Sequence, residues 1–128
     1  MTDNVIFIVD GEPVPKQSFR YAKGGGYTDP RVTAWQKSVA KAAREAMHFG
    51  LPFTGPIAMR VVFVLSNSRR VDLDNLNKGV CDAMNGIVFV DDAQIVSLHL
   101  VKHIKTKPGI LVEVYPGGLL PFLVERKP

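Results

Sequence analysis

The chain has 128 residues, 46% of them hydrophobic and 22% charged, with a net charge of +4. That length suits one domain with its own core, and the composition excludes a chain disordered along its body. No apolar run reaches the roughly 18 residues of a membrane-spanning helix. The opening MTDNVIFIVDGEP lacks the basic start and long apolar stretch of a secretory leader, so no membrane association is expected and a cytoplasmic location is. The single cysteine, Cys81, has no partner for an internal disulfide, which fits a reducing compartment, and it reads as a small buried hydrophobe.

Val5 to Val9 is a short apolar run closed by Asp10-Gly11 and predicts a first strand. GEPVPKQSFRYAKGGGYTDP follows, with Pro13 and Pro15 stiffening its start and Gly24 to Gly26 forming a tip. Ser18 to Ala22 and Tyr27 are expected as ragged strands beside that tip, with Phe19 and Tyr21 available to stack on bases. Asp29-Pro30 is a helix start: an N-cap acid, then a proline where its missing N–H costs nothing. Val32, Trp35, Val39, Ala42, Ala43, Ala46 and Met47 then recur at helical spacing, and Gly50 is the expected stop. Trp35 lies on the apolar stripe and belongs to the core; Arg31, Lys37, Lys41 and Arg44 lie on the opposite, solvated face.

IAMRVVFVLS, after Pro56, is nearly continuous in apolar and branched residues, the pattern of a strand covered on both faces in mid-sheet. RRVDLDNLNKGVCDAMNG comes next. At 100° per residue Leu73, Leu76, Val80, Ala83, Met84 and Ile87 fall within an arc of about 100°, a core stripe, while Asp74, Asn75, Lys78 and Asp82 take the far side. Beyond it, Ile87 to Val90 is apolar, Asp91-Asp92 interrupts, and Gln94 to Lys105 alternates as a long strand. Thr106 to Gly109 predicts a turn and Ile110 to Tyr115 a hairpin partner for that strand. The sum is an α+β domain over 1–115, a mixed sheet with two main helices. The tail over 116–128 holds Leu119, Leu120, Phe122, Leu123 and Val124, which suits packing on this chain or on a partner.

Two readings compete for the acids. Asp72 suits an N-cap, acids favour a first turn by roughly 0.3–1 kcal/mol each, and Asp74 with Lys78 has the spacing of an i, i+4 ion pair. Asp91-Asp92 alone suits a turn. Together, however, two carboxylate clusters each follow an apolar segment expected in the sheet, and Arg69, Arg70 and Lys78 lie around them. Mg²⁺ takes oxygen ligands from one or two carboxylates, waters and phosphate oxygens. Acids for a metal inside a basic rim are what phosphodiester hydrolysis requires. The other cations are distributed to match: Lys16, Arg20 and Lys23 in the first third, and Lys102, Lys105 and Lys107 near the late turn, are expected to meet a phosphate backbone.

The string DLDNLNKGVCDAMNGIVFVDDAQI resembles the RusA family of Holliday junction resolvases, with weaker similarity across residues 5–115 through PVPK, Tyr27-Thr28 and HLVKHIKTKPG. The resemblance implies a homodimeric endonuclease that cuts branched DNA, four-way junctions above all, with Mg²⁺ as cofactor and Mn²⁺ as its substitute. It implies Asp72, Asp74 and Asp92 as the metal-binding carboxylates, Asp91 as a helper, and Lys78 beside the scissile phosphate. Val71 separates the arginines from the first acid, leaving the phosphate-contacting role to Arg69 or Arg70. Two other readings stand beside it: a nuclease preferring forks or flaps, and a DNA-binding module of the same fold that does not cleave. Compact genes of this type are often phage-borne, so a prophage origin fits.

Overall fold

The computed structural model describes residues 4–16, 25–68 and 70–120, and residues 19–22; over 19–22 and 25–28 it describes backbone alone. In chain order the elements are β1 (Val5–Asp10), β2 (Phe19–Ala22), β3 (Gly25–Thr28), α1 (Pro30–Ala46), β4 (Ile57–Leu65), α2 (Leu73–Met84), one 3₁₀ turn (Asp92–Gln94), β5 (Ile95–Ile104) and β6 (Gly109–Pro116). The expected α+β architecture with a mixed sheet and two helices is the one found. β2 and β3 form a small separate hairpin.

The main sheet has the order β1-β6-β4-β5. β4 is its central, most apolar strand: Ile57, Ala58, Met59, Val61, Phe63 and Leu65 are all fully buried. β5 runs parallel to β4, reached by a crossover through α2, and β6 lies antiparallel on the other side of β4. The expected β5–β6 hairpin is therefore not made. β4 lies between the two strands, and the turn after Ile104 passes over its end, where the Lys105 N–H donates to the Leu65 carbonyl at 2.9 Å. Two strand spacings are about 9.6 Å, a distance the few residues between Ile104 and Gly109 can reach. The physical reason is the βαβ unit, which brings β5 to one edge of β4 and leaves the other to β6. The expected cover on both faces of β4 is only half met, since Arg60, Val62 and Val64 on its outer face are partly exposed.

β1 pairs antiparallel with β6, setting Val5 opposite Val114 and Asp10 opposite Gly109. Its Val5, Phe7 and Val9 point into the core while Ile6 and Ile8 face outward. The helices cover the inner face, with Trp35, Val39 and Ala43 from α1 and Leu76, Val80 and Met84 from α2 in one cluster with Phe7, Phe63 and Val112. Trp35 and Cys81 are thus core residues, as their patterns indicate.

Asp29 caps α1 as expected. Its carboxylate, only 3% exposed, accepts the Arg31 N–H at 2.8 Å and grips the Arg31 guanidinium as well. At the other end α1 closes at Ala46, short of the expected stop at Gly50, and His48 and Phe49, with φ of 52° and 57°, make a left-handed turn before it. After β6 the chain stays on the domain as far as Leu120: the Gly117 N–H reaches the Pro56 carbonyl at 3.0 Å, and Leu120 is buried. No helix of the described residues is long and apolar enough to cross a membrane.

Candidate active site

α2 is fixed by its apolar stripe. Leu76, Val80, Ala83 and Met84 are buried, so Asp74, Lys78 and Asp82 are turned to solvent. The loop leading into it is held by Glu12, whose carboxylate accepts the backbone N–H and the hydroxyl of Ser66. Asp72 occupies the N-cap position in extended geometry (φ −76°, ψ 136°), and its carbonyl accepts the Leu76 N–H at 3.1 Å. Its carboxylate makes no capping hydrogen bond. Asp29 at the equivalent place on α1 spends its carboxylate on the helix; Asp72 keeps its own exposed. Among the described residues the expected Asp74–Lys78 ion pair is also not formed, and both side chains are exposed.

Asp74, Asn77 and Cys81 lie on successive turns of one side of α2. Asn77 and Cys81 line an open cleft of about 340 Å³ together with Asp92 and the β5 residues Ile95–Leu98. The Asp92 carboxyl is held above its ordinary value, first by burial, then by the charge and hydrogen bond of Asp91, then by the charge of Asp82. Burial pushes the Cys81 thiol up to about 12, and the Asp92 and Asp82 charges add to that, against a hydrogen bond from Asn77. A thiol so held is no nucleophile at neutral pH.

The acids therefore stand in two groups. Asp72 and Asp74 are at the start of α2. Asp82 lies about 12 Å beyond Asp74 along the helix at 1.5 Å per residue, with Asp92 facing Asn77 and Cys81 across the cleft and Asp91 beside it. Among the described residues no three His, Cys, Asp or Glu side chains converge as metal ligands. Asp72 with Asp74 still fits a Mg²⁺ site of the usual type, one or two carboxylates completed by waters and phosphate oxygens. Asp82 is the member that sequence reasoning did not single out as a site residue. Its signal was present, since it follows Asp74 and Lys78 at intervals of four on the same polar arc.

The cations divide likewise. Arg70 lines a second cleft of about 270 Å³ with Pro15, Val71, Asp72 and Asn75. Lys102 reaches across from β5 and donates to the Val71 carbonyl at 2.8 Å, one residue before Asp72. Lys105 and Lys107 sit on the turn that crosses the end of β4, the end from which the chain runs on to α2. Lys16, expected on DNA, straps α2: its N–H donates to the Asn75 carbonyl at 3.1 Å and its ammonium pairs with Asp82. Arg69, Lys23 and the side chain of Arg20 lie outside the described residues, as do the side chains of Phe19 and Tyr21.

The class is therefore an α+β protein with two exposed carboxylates at a helix start, Arg70 in the cleft beside Asp72 and Lys102 bound one residue before it, an arrangement chemically suited to a phosphate ester. Comparison with known sequences narrows the class. The family model described as Endodeoxyribonuclease RusA matches residues 10–115, and the chain belongs to that family. A crossover junction endodeoxyribonuclease RusA from Aquifex aeolicus (strain VF5) is 35% identical over 109 residues, covering 81% of this chain and 85% of that protein. The protein of the same name from Escherichia coli (strain K12) is 32% identical over 100 residues, covering 77% and 82%. That of Enterobacteria phage 82 is 31% identical over a stretch of the same length and coverage.

Proposed function

We propose that this chain is a Mg²⁺-dependent endonuclease that resolves Holliday junctions by paired symmetric nicks, acting in the cytoplasm as a homodimer during DNA recombination and repair. The observation that carries this reading is Asp72: an acid placed at a helix start but released from capping, one residue away from a second exposed acid and beside Arg70 and Lys102. Asp72 and Asp74 would hold the ion, and Asp92 with Asp91 supplies the second group of carboxylates. When bound, Mg²⁺, or Mn²⁺ in its place, screens the phosphate and acidifies a water.

The chain's own groups do the rest. Arg70 and Lys102 hold the DNA phosphates flanking the cut, Arg70 by a planar fork that suits phosphate oxygens. Lys78, one turn below Asp74, offers its ammonium to the charge that grows on the phosphoryl oxygens. A water oriented by a carboxylate or by Lys78 attacks phosphorus in line. The bond to the 3′ oxygen breaks, that oxygen takes up a proton, and the products are a 3′-hydroxyl and a 5′-phosphate. A two-fold dimer presents two such sites to a junction whose continuous strands are themselves related by a two-fold axis.

The deciding experiment compares Mg²⁺-dependent cleavage of four-way, three-way, flap and linear duplex DNA of matched sequence. Preferential paired nicking of the four-way substrate is expected; equal cutting of linear duplex overturns the junction reading, and preference for flaps or forks moves the substrate to those forms. Asp74→Asn is expected to abolish cutting while leaving junction binding within about twofold, since binding rests on cations. Mg²⁺ should also raise the melting temperature of the wild type by mass action, and that rise should vanish in Asp74→Asn.

A further inference from the structure

We infer that Gln94 is the positioning residue of the acidic corner: its carboxamide clamps the backbone that carries Asp91 and Asp92 to the segment leading into β4, and so sets where the Asp92 carboxylate stands against α2. This rests on the catalytic reading of Asp92 above. The Gln94 Oε1 accepts the N–H groups of Val90 at 2.8 Å and Asp91 at 2.9 Å. Its Nε2 donates to the carbonyls of Phe53 at 2.8 Å and Gly55 at 2.9 Å. Both lone-pair sites and both amide protons are used, and only a carboxamide carries two of each in one planar group.

The clamp is fastened to the core. Phe53 and Phe89 form a β-bridge, the Phe53 N–H donates to the Val88 carbonyl at 2.8 Å, and Val88 and Phe89 are fully buried. The bond from the Asp91 N–H is also the side-chain half of the capping box of the 3₁₀ turn, which its backbone closes by the Gln94 N–H on the Asp91 carbonyl at 3.0 Å. What the bonds to the Phe53 and Gly55 carbonyls add is the fixed relation of that turn to the segment leading into β4. Asp92 meets Cys81 and Asn77 of α2 across the cleft, so a shift of the turn moves its carboxylate relative to the whole polar side of the helix. Displacement on the order of 1 Å at a reacting group costs about 10–100-fold in rate.

The test uses the full chain with two substitutions, Gln94→Met, which keeps length and loses all four hydrogen bonds, and Gln94→Glu, which keeps both acceptors and loses both donors. Three quantities are read: amide exchange at Val90 and Asp91, single-turnover cleavage of a four-way junction in Mg²⁺, and junction affinity in Ca²⁺. In Gln94→Met exchange at Val90 and Asp91 should rise about tenfold or more, cleavage should fall about 10–100-fold, and affinity should stay within about twofold. Gln94→Glu should keep those two amides protected and cut at an intermediate rate; it carries the test alone if Gln94→Met does not fold. Raised exchange with a wild-type rate overturns the inference, as does unchanged exchange in Gln94→Met, or loss of affinity in step with rate. A wild type that cuts no DNA at all would instead overturn the proposed function.

Discussion

Asp29 and Asp72 hold equivalent places at two helix starts, and removing each should have opposite consequences. Asp29→Ala strips α1 of a buried cap and leaves the Arg31 guanidinium without its carboxylate, so about 1–2 kcal/mol of stability should be lost in denaturant titration. Asp72→Ala removes no capping hydrogen bond and should change stability by less than about 0.5 kcal/mol, while abolishing cleavage. Asp92 carries a second signed expectation. A carboxyl held above its ordinary value destabilises the fold when ionised, and that penalty is relieved as pH falls through its folded value. Asp92→Asn should therefore raise the melting temperature at pH 7, with a gain that shrinks as the wild type is titrated into the acid range. A gain that held constant from pH 7 to the acid limit would mean that ionised Asp92 is not the source.

At the scale of elements, two glycines separate propensity from space. A Cβ on Gly79, inside α2, would sit 3.6 Å from the Val14 carbonyl oxygen, an ordinary contact, so Gly79→Ala should gain up to about 1 kcal/mol of helix stability. A Cβ on Gly109, at the start of β6, would fall 2.7 Å from the Val9 carbonyl oxygen, and Gly109→Ala should lose about 1–3 kcal/mol as β1 is pushed off its partner. Thermal melts of the pair should move in opposite directions. The helices and β4 were legible because their signals are local: the Leu76–Val80–Met84 stripe, the Asp29-Pro30 start, and the unbroken apolar run from Ile57. The partner of β5 was not. A turn at Thr106–Gly109 between two alternating segments reads as a hairpin until a more apolar strand competes for both edges, and that competition is invisible to either segment alone. The Asp74–Lys78 pair fails for a related reason, because spacing licenses an exposed ion pair worth only tenths of a kcal/mol and does not enforce one.

For the whole molecule, the arrangement of charge matters more than its sum. Arg70, Lys102, Lys105 and Lys107 gather at the end of the sheet from which the chain enters α2, whereas Lys16 is bound to Asp82. Lys105→Ala should weaken junction binding and reduce the salt slope of the affinity by about one, whereas Lys16→Ala should leave the slope nearly unchanged. Equal slopes for the wild type and Lys105→Ala would remove Lys105 from the DNA contact. The candidate site was half legible on this scale. Asp72 and Asp74 could be found from their spacing and the basic residues before them. That Asp82 would stand with Asp91 and Asp92, apart from the first pair, depends on where the 3₁₀ turn meets α2, and no spacing along the chain encodes it.

The pairing of β1 with β6 governs how the chain can be made. β1 precedes both helices and every acid of the candidate site in the chain and its partner β6 follows them, so the nascent β1 has no sheet partner while those elements are being synthesised. β4 meanwhile waits with one edge bare, since β6 is its other neighbour as well. Translation halted before Gly109 therefore yields a chain with every carboxylate of the candidate site and no completed sheet beneath them. The sheet is thus completed only after α2 and the acids it carries have been made, because β6 closes both β1 and the free edge of β4.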